Sequence, residues 1–139
     1  MNTAVNSCAA DAGKLVLRAA LAILILFHGY AKITGGLGDI VGLVAKHGLP
    51  SAFGYLVLVG EVVAPLMVLF GVWTRAAAAV IAMNMLVAIG LVHTSQLGQI
   101  SNTGGWAIEL QAIYLASAAA IALMGAGRYS VGGVNGKWN

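Results

Sequence analysis

The scarcity of charge constrains this chain more than any other feature. Only 8% of its 139 residues are charged and 60% are hydrophobic, whereas soluble domains carry roughly 25% charged residues because their surface faces water. A chain this poor in charge cannot cover a water-facing surface, but a lipid bilayer can face an apolar exterior. The composition therefore predicts an integral membrane protein, with residues 1–139 forming a single transmembrane domain.

Four apolar stretches approach the length of about 20 residues that a membrane-spanning helix needs. They run over about residues 15–33, 53–72, 76–92 and 106–124. The remaining hydrophilic sequence is too short for a soluble domain. We therefore expect an all-α fold, a membrane four-helix bundle.

The connection between the first two stretches carries its own pattern. Apolar residues recur with helical spacing from Leu37 to Val44, and Gly48 and Pro50 end the pattern. This predicts a short amphipathic interfacial helix between helices 1 and 2. The sequence after Gly125 is rich in glycine, which predicts a loose tail.

The basic residues predict the orientation, since Lys and Arg accumulate in cytoplasmic loops. The side that holds both termini of an even-span bundle carries Lys14, Arg18, Arg75, Arg128 and Lys137, against Lys32 and Lys46 on the other side. We expect a multi-pass protein with both termini in the cytoplasm. These residues flank the spans and form no patch, so nucleic acid is not expected as a partner.

Ionisable side chains inside the spans indicate a site. Of only four acidic residues, Glu61 and Glu109 lie within predicted spans. An unpaired carboxylate at membrane depth costs several kcal/mol, so each should face the interior with a partner or be protonated. At about 100° per residue, Arg18, His28 and Lys32 form one stripe on helix 1 that can supply partners.

Depth brings most of these groups together in the outer half of the membrane, where His93 ends the third span. Arg18 lies nearer the cytoplasm. The predicted intramembrane polar site comprises Arg18, His28, Lys32, Glu61, His93 and Glu109. An ion-pair network that only fixes helix register remains an alternative for these residues.

Other polar or helix-breaking positions are predicted to be structural. Pro65 lacks an N–H, so the carbonyl of residue 61 loses its helical hydrogen-bond partner. This favours a kink and a polar niche at Glu61; the alternative is that the proline only shapes helix packing. Asn84 is typical of an interhelical hydrogen bond. Arg75 and Arg128 flank the spans and are also expected to be structural.

Metal and haem sites are not favoured. No span carries a HExxH or ExxH pairing, and only His28 and His93 are placed for a haem, at different depths. The single cysteine, Cys8, excludes intramolecular dithiol chemistry. No catalytic residue can be assigned.

An ordered series of short motifs runs through nearly the whole chain. The series comprises Arg18, His28-Gly29-x-x-Lys32, Gly48-Leu49-Pro50, Glu61, Gly71-x-x-Thr74-Arg75, Glu109 and Gly125-x-Gly127-Arg128-Tyr129-Ser130. In this series the chain resembles the DoxX family of small four-helix bacterial membrane proteins. It departs from the family at Val131-Gly132, where Leu-Asp is common, and so lacks that acid.

The resemblance implies where the protein works and with which kind of complex, but not which reaction it serves. Proteins of this kind are linked to quinone-dependent or oxidative-stress redox complexes in the bacterial cytoplasmic (inner) membrane. We therefore expect an oxidoreductase-associated subunit with a redox partner protein and with quinone as the candidate cofactor. A non-catalytic membrane anchor or assembly subunit, or a small-solute carrier, is the alternative; fold alone does not choose between them.

Overall fold

The computed structural model describes the backbone of residues 2–139 and the side chains of residues 7–139. These residues form helices and no β-strand, which confirms the predicted all-α fold. The α-helices are α1 (Asn2–Gly35), α2 (Gly38–Lys46), α3 (Ala64–Phe70), α4 (Thr74–Val92) and α5 (Glu109–Met124). Helix α3 is continuous with a 3₁₀-helix (Ser51–Leu56) and a π-helical turn (Val59–Val63), so Ser51–Phe70 acts as one helical segment.

Helix length, hydropathy and surface all fit a membrane protein. The Ser51–Phe70 segment and α4 are long and apolar enough to cross a membrane, and the shorter α5 is apolar too. Large apolar side chains also remain on the outside: Phe27 is 67% exposed, Ile113 63% and Leu123 79%. Because water would oppose such a surface, this exterior is suited to lipid.

Small side chains dominate the buried core. Ala22, Ala64, Ala78 and Ala118 are all at most 2% exposed, and they bring α1, α3, α4 and α5 together. In lipid no hydrophobic force drives helix association, so close approach through small residues provides the packing energy.

The bundle has two distinct ends. We call the end with the turn between α3 and α4 and residues 125–139 the tail end. The opposite end, with α2 and the loop between α4 and α5, is the loop end. The α1 helix runs from the tail end to the loop end, and its last turn carries Lys32.

Arg18 connects several elements at the tail end. Its side chain is 1% exposed, and its guanidinium donates to the carbonyls of Val68, Leu69, Ala126 and Tyr129. The carbonyls of Val68 and Leu69 lie in the last turn of α3, where carbonyls lack intrahelical partners, and those of Ala126 and Tyr129 lie in the segment after α5. Arg18 is 14 residues before Lys32, which corresponds to about 21 Å along α1. It therefore does not join the other candidate site residues.

The prediction of a loose tail is wrong. The backbone amides of Val131 and Gly132 donate to the carbonyls of Phe70 and Gly71, and the side chain of Asn139 accepts a hydrogen bond from the hydroxyl of the first residue of α4 at 2.8 Å. The turn after α3 needs partners for its backbone groups, and the glycine-rich tail supplies them. Composition indicated a loop correctly, but it did not show that the loop is anchored.

Replacing Arg18 should destabilise the bundle. An Arg18→Gln variant loses charged hydrogen bonds to four backbone carbonyls, of which those to Val68 and Ala126 are buried, and we expect the free energy of unfolding in detergent to fall by roughly 3 kcal/mol. The measurement is a denaturation curve of the purified protein. Lys46→Gln, at an exposed position of α2, is the control; equal stability of the two variants would contradict the role of Arg18.

Candidate functional site

A cavity of about 740 Å³ lies in the loop-end half of the bundle. Its walls are mostly aliphatic and come from α1, α2, the Ser51–Phe70 segment, α4 and α5. The polar or aromatic-polar side chains in its lining are His28, Lys32, Glu61, Asn84, His93, Gln111 and Tyr114. Towards the tail end the buried core closes the cavity, with Ile25 and Met85 in both its lining and that core.

An ion pair crosses the cavity wall between α1 and the Ser51–Phe70 segment. The Lys32 ammonium donates to the Glu61 carboxylate. Glu61 is 6% exposed, so its charge would be costly without this partner. The pair therefore satisfies the requirement that an intramembrane acid be neutralised.

The backbone around Glu61 is irregular. Glu61 lies in the π-helical turn Val59–Val63, and the buried Pro65 follows in the first turn of α3. Proline cannot donate the helical hydrogen bond to the carbonyl four residues earlier, and a wider turn accommodates that interruption. Single π turns occur frequently at functional sites.

Two glycines let neighbouring helices press against this turn. A Cβ atom at Gly29 would overlap the carbonyl oxygen of Glu61, and one at Gly60 would overlap the side chain of Asn84. The glycines therefore set the helix spacing at the ion pair. Sequence reasoning used Gly29 only as part of a motif and missed Gly60, although a glycine adjacent to an intramembrane acid is a usable signal.

Two buried amide atoms in cavity-lining residues have no hydrogen-bond partner among the described residues. They are Nδ2 of Asn84 and Oε1 of Gln111. A buried donor or acceptor left unpaired costs about 1–3 kcal/mol. Both atoms have almost no accessible surface, so a ligand in the cavity would pair with them only if the amide groups turned towards it.

A chain of polar side chains runs from the loop end to the cavity. His93 Nδ1 is 2.8 Å from Oε1 of Gln96, and His93 Nε2 is 3.1 Å from Nε2 of Gln111. Gln96 Oε1 can only accept, so Nδ1 carries the proton and Nε2 accepts from the Gln111 amide. Sequence reasoning missed both glutamines; an amide within the apolar stretch of α5 was the available signal for Gln111.

His28 also lines the cavity, and it contacts an aromatic ring. Its ring centroid is 5.9 Å from that of Tyr114, with an edge-to-face angle of 77°. His28 and Lys32 are one helical turn apart on α1, so they present side chains to the same cavity. Four of the six predicted site residues thus line one cavity: His28, Lys32, Glu61 and His93.

Glu109 is not among them. It is exposed and starts α5, and its carboxylate lies beside Gly105 rather than in the cavity wall. The helix begins three residues later than the predicted span because the Trp106 indole donates to the carbonyl of Leu97 at 2.8 Å and holds the preceding chain in a loop. The expected position of Glu109, one turn inside the helix, is therefore wrong.

The two arginines predicted to be structural, Arg75 and Arg128, lie at the tail end. Arg75 Nε donates to the carbonyl oxygen of Asn139 at 3.2 Å, and Arg128 is exposed. Within residues 7–139, no three side chains of His, Cys, Asp or Glu come together in a way that could hold a metal ion.

A comparison with protein families identifies the chain. The DoxX family model matches residues 13–94, more than half of the sequence. The chain belongs to the DoxX family. The resemblance seen in the sequence is thereby confirmed, and the protein is a small helical membrane protein in contact with the lipid bilayer. The match includes Lys32, Glu61 and His93 of this DoxX protein but ends before Gln111. Searches of curated proteins and of solved structures found no match.

The tight approach at Gly29 makes a specific prediction. Gly29→Ala should lower the free energy of unfolding by about 2 kcal/mol, because the added methyl group must push the Glu61 backbone away. Gly13→Ala is a matched control in the same helix, where an added Cβ meets nothing within 4 Å. Denaturation in detergent measures both; a Gly29→Ala variant as stable as Gly13→Ala would refute the close contact.

The ion pair should behave as a coupled unit. Lys32→Met leaves the Glu61 carboxylate without its partner and should cost roughly 3 kcal/mol of stability. Adding Glu61→Gln removes the unpaired charge and should restore part of that loss, which a double-mutant cycle in detergent would detect. Purely additive effects of the two substitutions would argue against the pairing.

Proposed function

We propose that this DoxX protein is the membrane subunit of a quinone-linked redox complex, and that its cavity binds the ring of an isoprenoid quinone. The observation that carries the proposal is an apolar cavity whose wall combines the Lys32–Glu61 ion pair with an unpartnered buried amide donor on Asn84. The proposed setting is the bacterial cytoplasmic membrane, with both termini in the cytoplasm.

The size and lining of the cavity suit an apolar ring. Small-molecule sites commonly measure about 300–1,000 Å³ and are mainly apolar with a few placed polar groups, and this cavity falls within that range. Its position in the bundle favours a ligand that arrives from the lipid phase. A quinone has an apolar ring and tail with two polar oxygens, and so fits such a wall.

The polar groups also match the oxygens of a quinone. A quinone carbonyl only accepts hydrogen bonds, and the Asn84 amide nitrogen is a buried donor with no acceptor. The Lys32 ammonium is a second donor nearby in the lining, while the Glu61 carboxylate can accept from a quinol hydroxyl. If the Asn84 amide turned towards the cavity, a ligand carbonyl would pair with it and remove the cost of burying that donor unpaired.

Proton exchange is the chemistry these residues can supply. His28, Glu61 and His93 line the same cavity, and histidine and carboxyl groups are the usual acids and bases of proteins. Electrons would pass to or from a redox partner protein, which this subunit would hold at the membrane. The subunit thus binds the quinone and exchanges its protons, and the partner handles the electrons.

The alternative is a non-catalytic anchor or a small-solute carrier. In an anchor, the Lys32–Glu61 pair would serve only to fix helix register. A carrier needs access from both sides, whereas in this conformation the tail-end half is filled by core residues such as Ala22, Val68 and Ile81. A carrier that works by alternating access is closed on one side in each conformation, so the filled core is compatible with both proposals.

Identifying what co-purifies with the protein tests the proposal. We expect mass spectrometry of extracts from mild-detergent preparations to show stoichiometric quinone. Asn84→Leu should reduce that amount by about fivefold or more, because the ligand loses the hydrogen bond from the Asn84 amide. Asn102→Leu, in the exposed loop, is the control.

Two outcomes would oppose the proposal. Preparations without quinone that also fail to bind an added short-chain quinone would favour the anchor. Equal quinone in the Asn84→Leu and Asn102→Leu variants would remove the cavity from the binding site.

A further inference from the structure

A wedge-shaped cleft lies between α4 and the first part of the Ser51–Phe70 segment. The two helices meet closely where Gly60 lies against the side chain of Asn84. Towards the loop end they separate: α4 packs against α3 and the π-helical turn, but among the described residues it has almost no close contact with the 3₁₀-helix Ser51–Leu56. The contact at Gly60 is therefore the narrow end of this wedge, which we call the side cleft.

The packing of α2 explains why the helices separate. This helix packs along the 3₁₀-helix, and a Cβ atom at Gly54 would lie 2.9 Å from the Cα atom of Val41, so only glycine permits the approach. The 3₁₀-helix is thus held against α2 and away from α4. Because α2 also lines the cavity, through Leu43 and Val44, the same packing that bounds the cavity keeps the side cleft open.

The side cleft joins the cavity to the outer surface of the bundle. Leu56 on one wall and Val87 on the other both line the cavity, and yet they are 55% and 48% exposed. The cavity-lining residues of the two walls, from Phe53 to Val59 and from Val87 to Val92, are all apolar. An opening with such walls suits lipid rather than water.

The polar groups of the cavity lie on another side. His28 and Lys32 are on α1, which packs against α3, the π-helical turn and α5 rather than against α4. A ligand that enters through the side cleft therefore passes apolar walls before it meets the Lys32–Glu61 pair. A molecule with a small polar ring and a long apolar chain fits this order, with the ring inside and the chain behind it. A phospholipid would have to carry its charged headgroup through the apolar opening, which is costly.

We propose that the side cleft is a lateral entrance from the bilayer, and that it holds the first isoprene units of the quinone tail while the ring lies in the cavity. This inference rests on the proposed function, since it concerns the tail of the quinone whose ring the cavity binds. Lipid provides no hydrophobic force for the tail, so close packing against the aliphatic walls holds it.

The experiment compares two benzoquinones that share one ring, one with a short isoprenoid tail and the other without a tail. Protein immobilised on a resin in detergent is incubated with each quinone, and the bound quinone is quantified by mass spectrometry. The detergent concentration is held constant. Partitioning of each quinone into micelles then cancels when a variant is compared with the wild-type protein.

Tryptophan on either wall should obstruct the tail. Val87→Trp and Leu56→Trp should each lower the affinity for the tailed quinone by about fivefold or more, because a large side chain in occupied space forces one of the two groups to move. The affinity for the tailless quinone should stay close to that of the wild-type protein, which also shows that the variants are folded. Leu86→Trp and Val63→Trp are the matched controls: both positions are exposed on the same two helices but lie outside the cavity lining, and both affinities should stay unchanged.

Four results would overturn the entrance. Equal binding of the tailed quinone by the cleft variants and their controls would place the tail elsewhere and leave the proposed function intact. An equal loss of both quinones in the cleft variants would show that the tryptophan disturbs the ring and not the tail. A phospholipid that co-purifies with the wild-type protein and is lost in both cleft variants would assign the cleft to an acyl chain. Failure of the wild-type protein to bind either quinone would contradict the proposed function and the entrance together.

Discussion

A carboxylate buried at membrane depth needs a partner, and the pairing of Glu61 with Lys32 meets that need. Much of the loop-end structure follows from this one interaction. It joins the last turn of α1 to the middle of the Ser51–Phe70 segment, where a π-helical turn presents the acid. Gly29 and Gly60 let α1 and α4 approach that turn closely, so the same small region controls helix spacing and the chemistry of the cavity wall.

The bundle divides into a solid half and a hollow half. At the tail end, Arg18 and the folded-back tail satisfy the carbonyls where helices end, and alanine-rich packing fills the interior. At the loop end, the same helices surround a cavity that keeps polar groups in an apolar wall. A rigid half that supports a hollow half is a suitable architecture for a site whose polar groups must stay in place.

Local composition and helical periodicity were enough to predict the fold class and part of the candidate site. Scarce charge gave the all-α membrane fold, and helical spacing placed His28, Lys32, Glu61 and His93 in a set that lines one cavity. It misplaced Glu109 and the tail, because their positions depend on contacts between distant residues, such as Trp106 with Leu97 and Val131 with Phe70. The unpaired amides of Asn84 and Gln111 could not be predicted, since whether a buried group finds a partner is decided only in the packed structure.

We propose that a quinone ring occupies the loop-end cavity, and photo-cross-linking with an azido-quinone tests this proposal most directly. After illumination of the purified protein, peptide mapping should find the label on cavity residues of α4 such as Asn84, Ala88 and Leu91, and excess unlabelled quinone should prevent it. Label confined to lipid-facing positions outside the cavity, such as Phe27 and Leu123, and insensitive to competition would contradict the account.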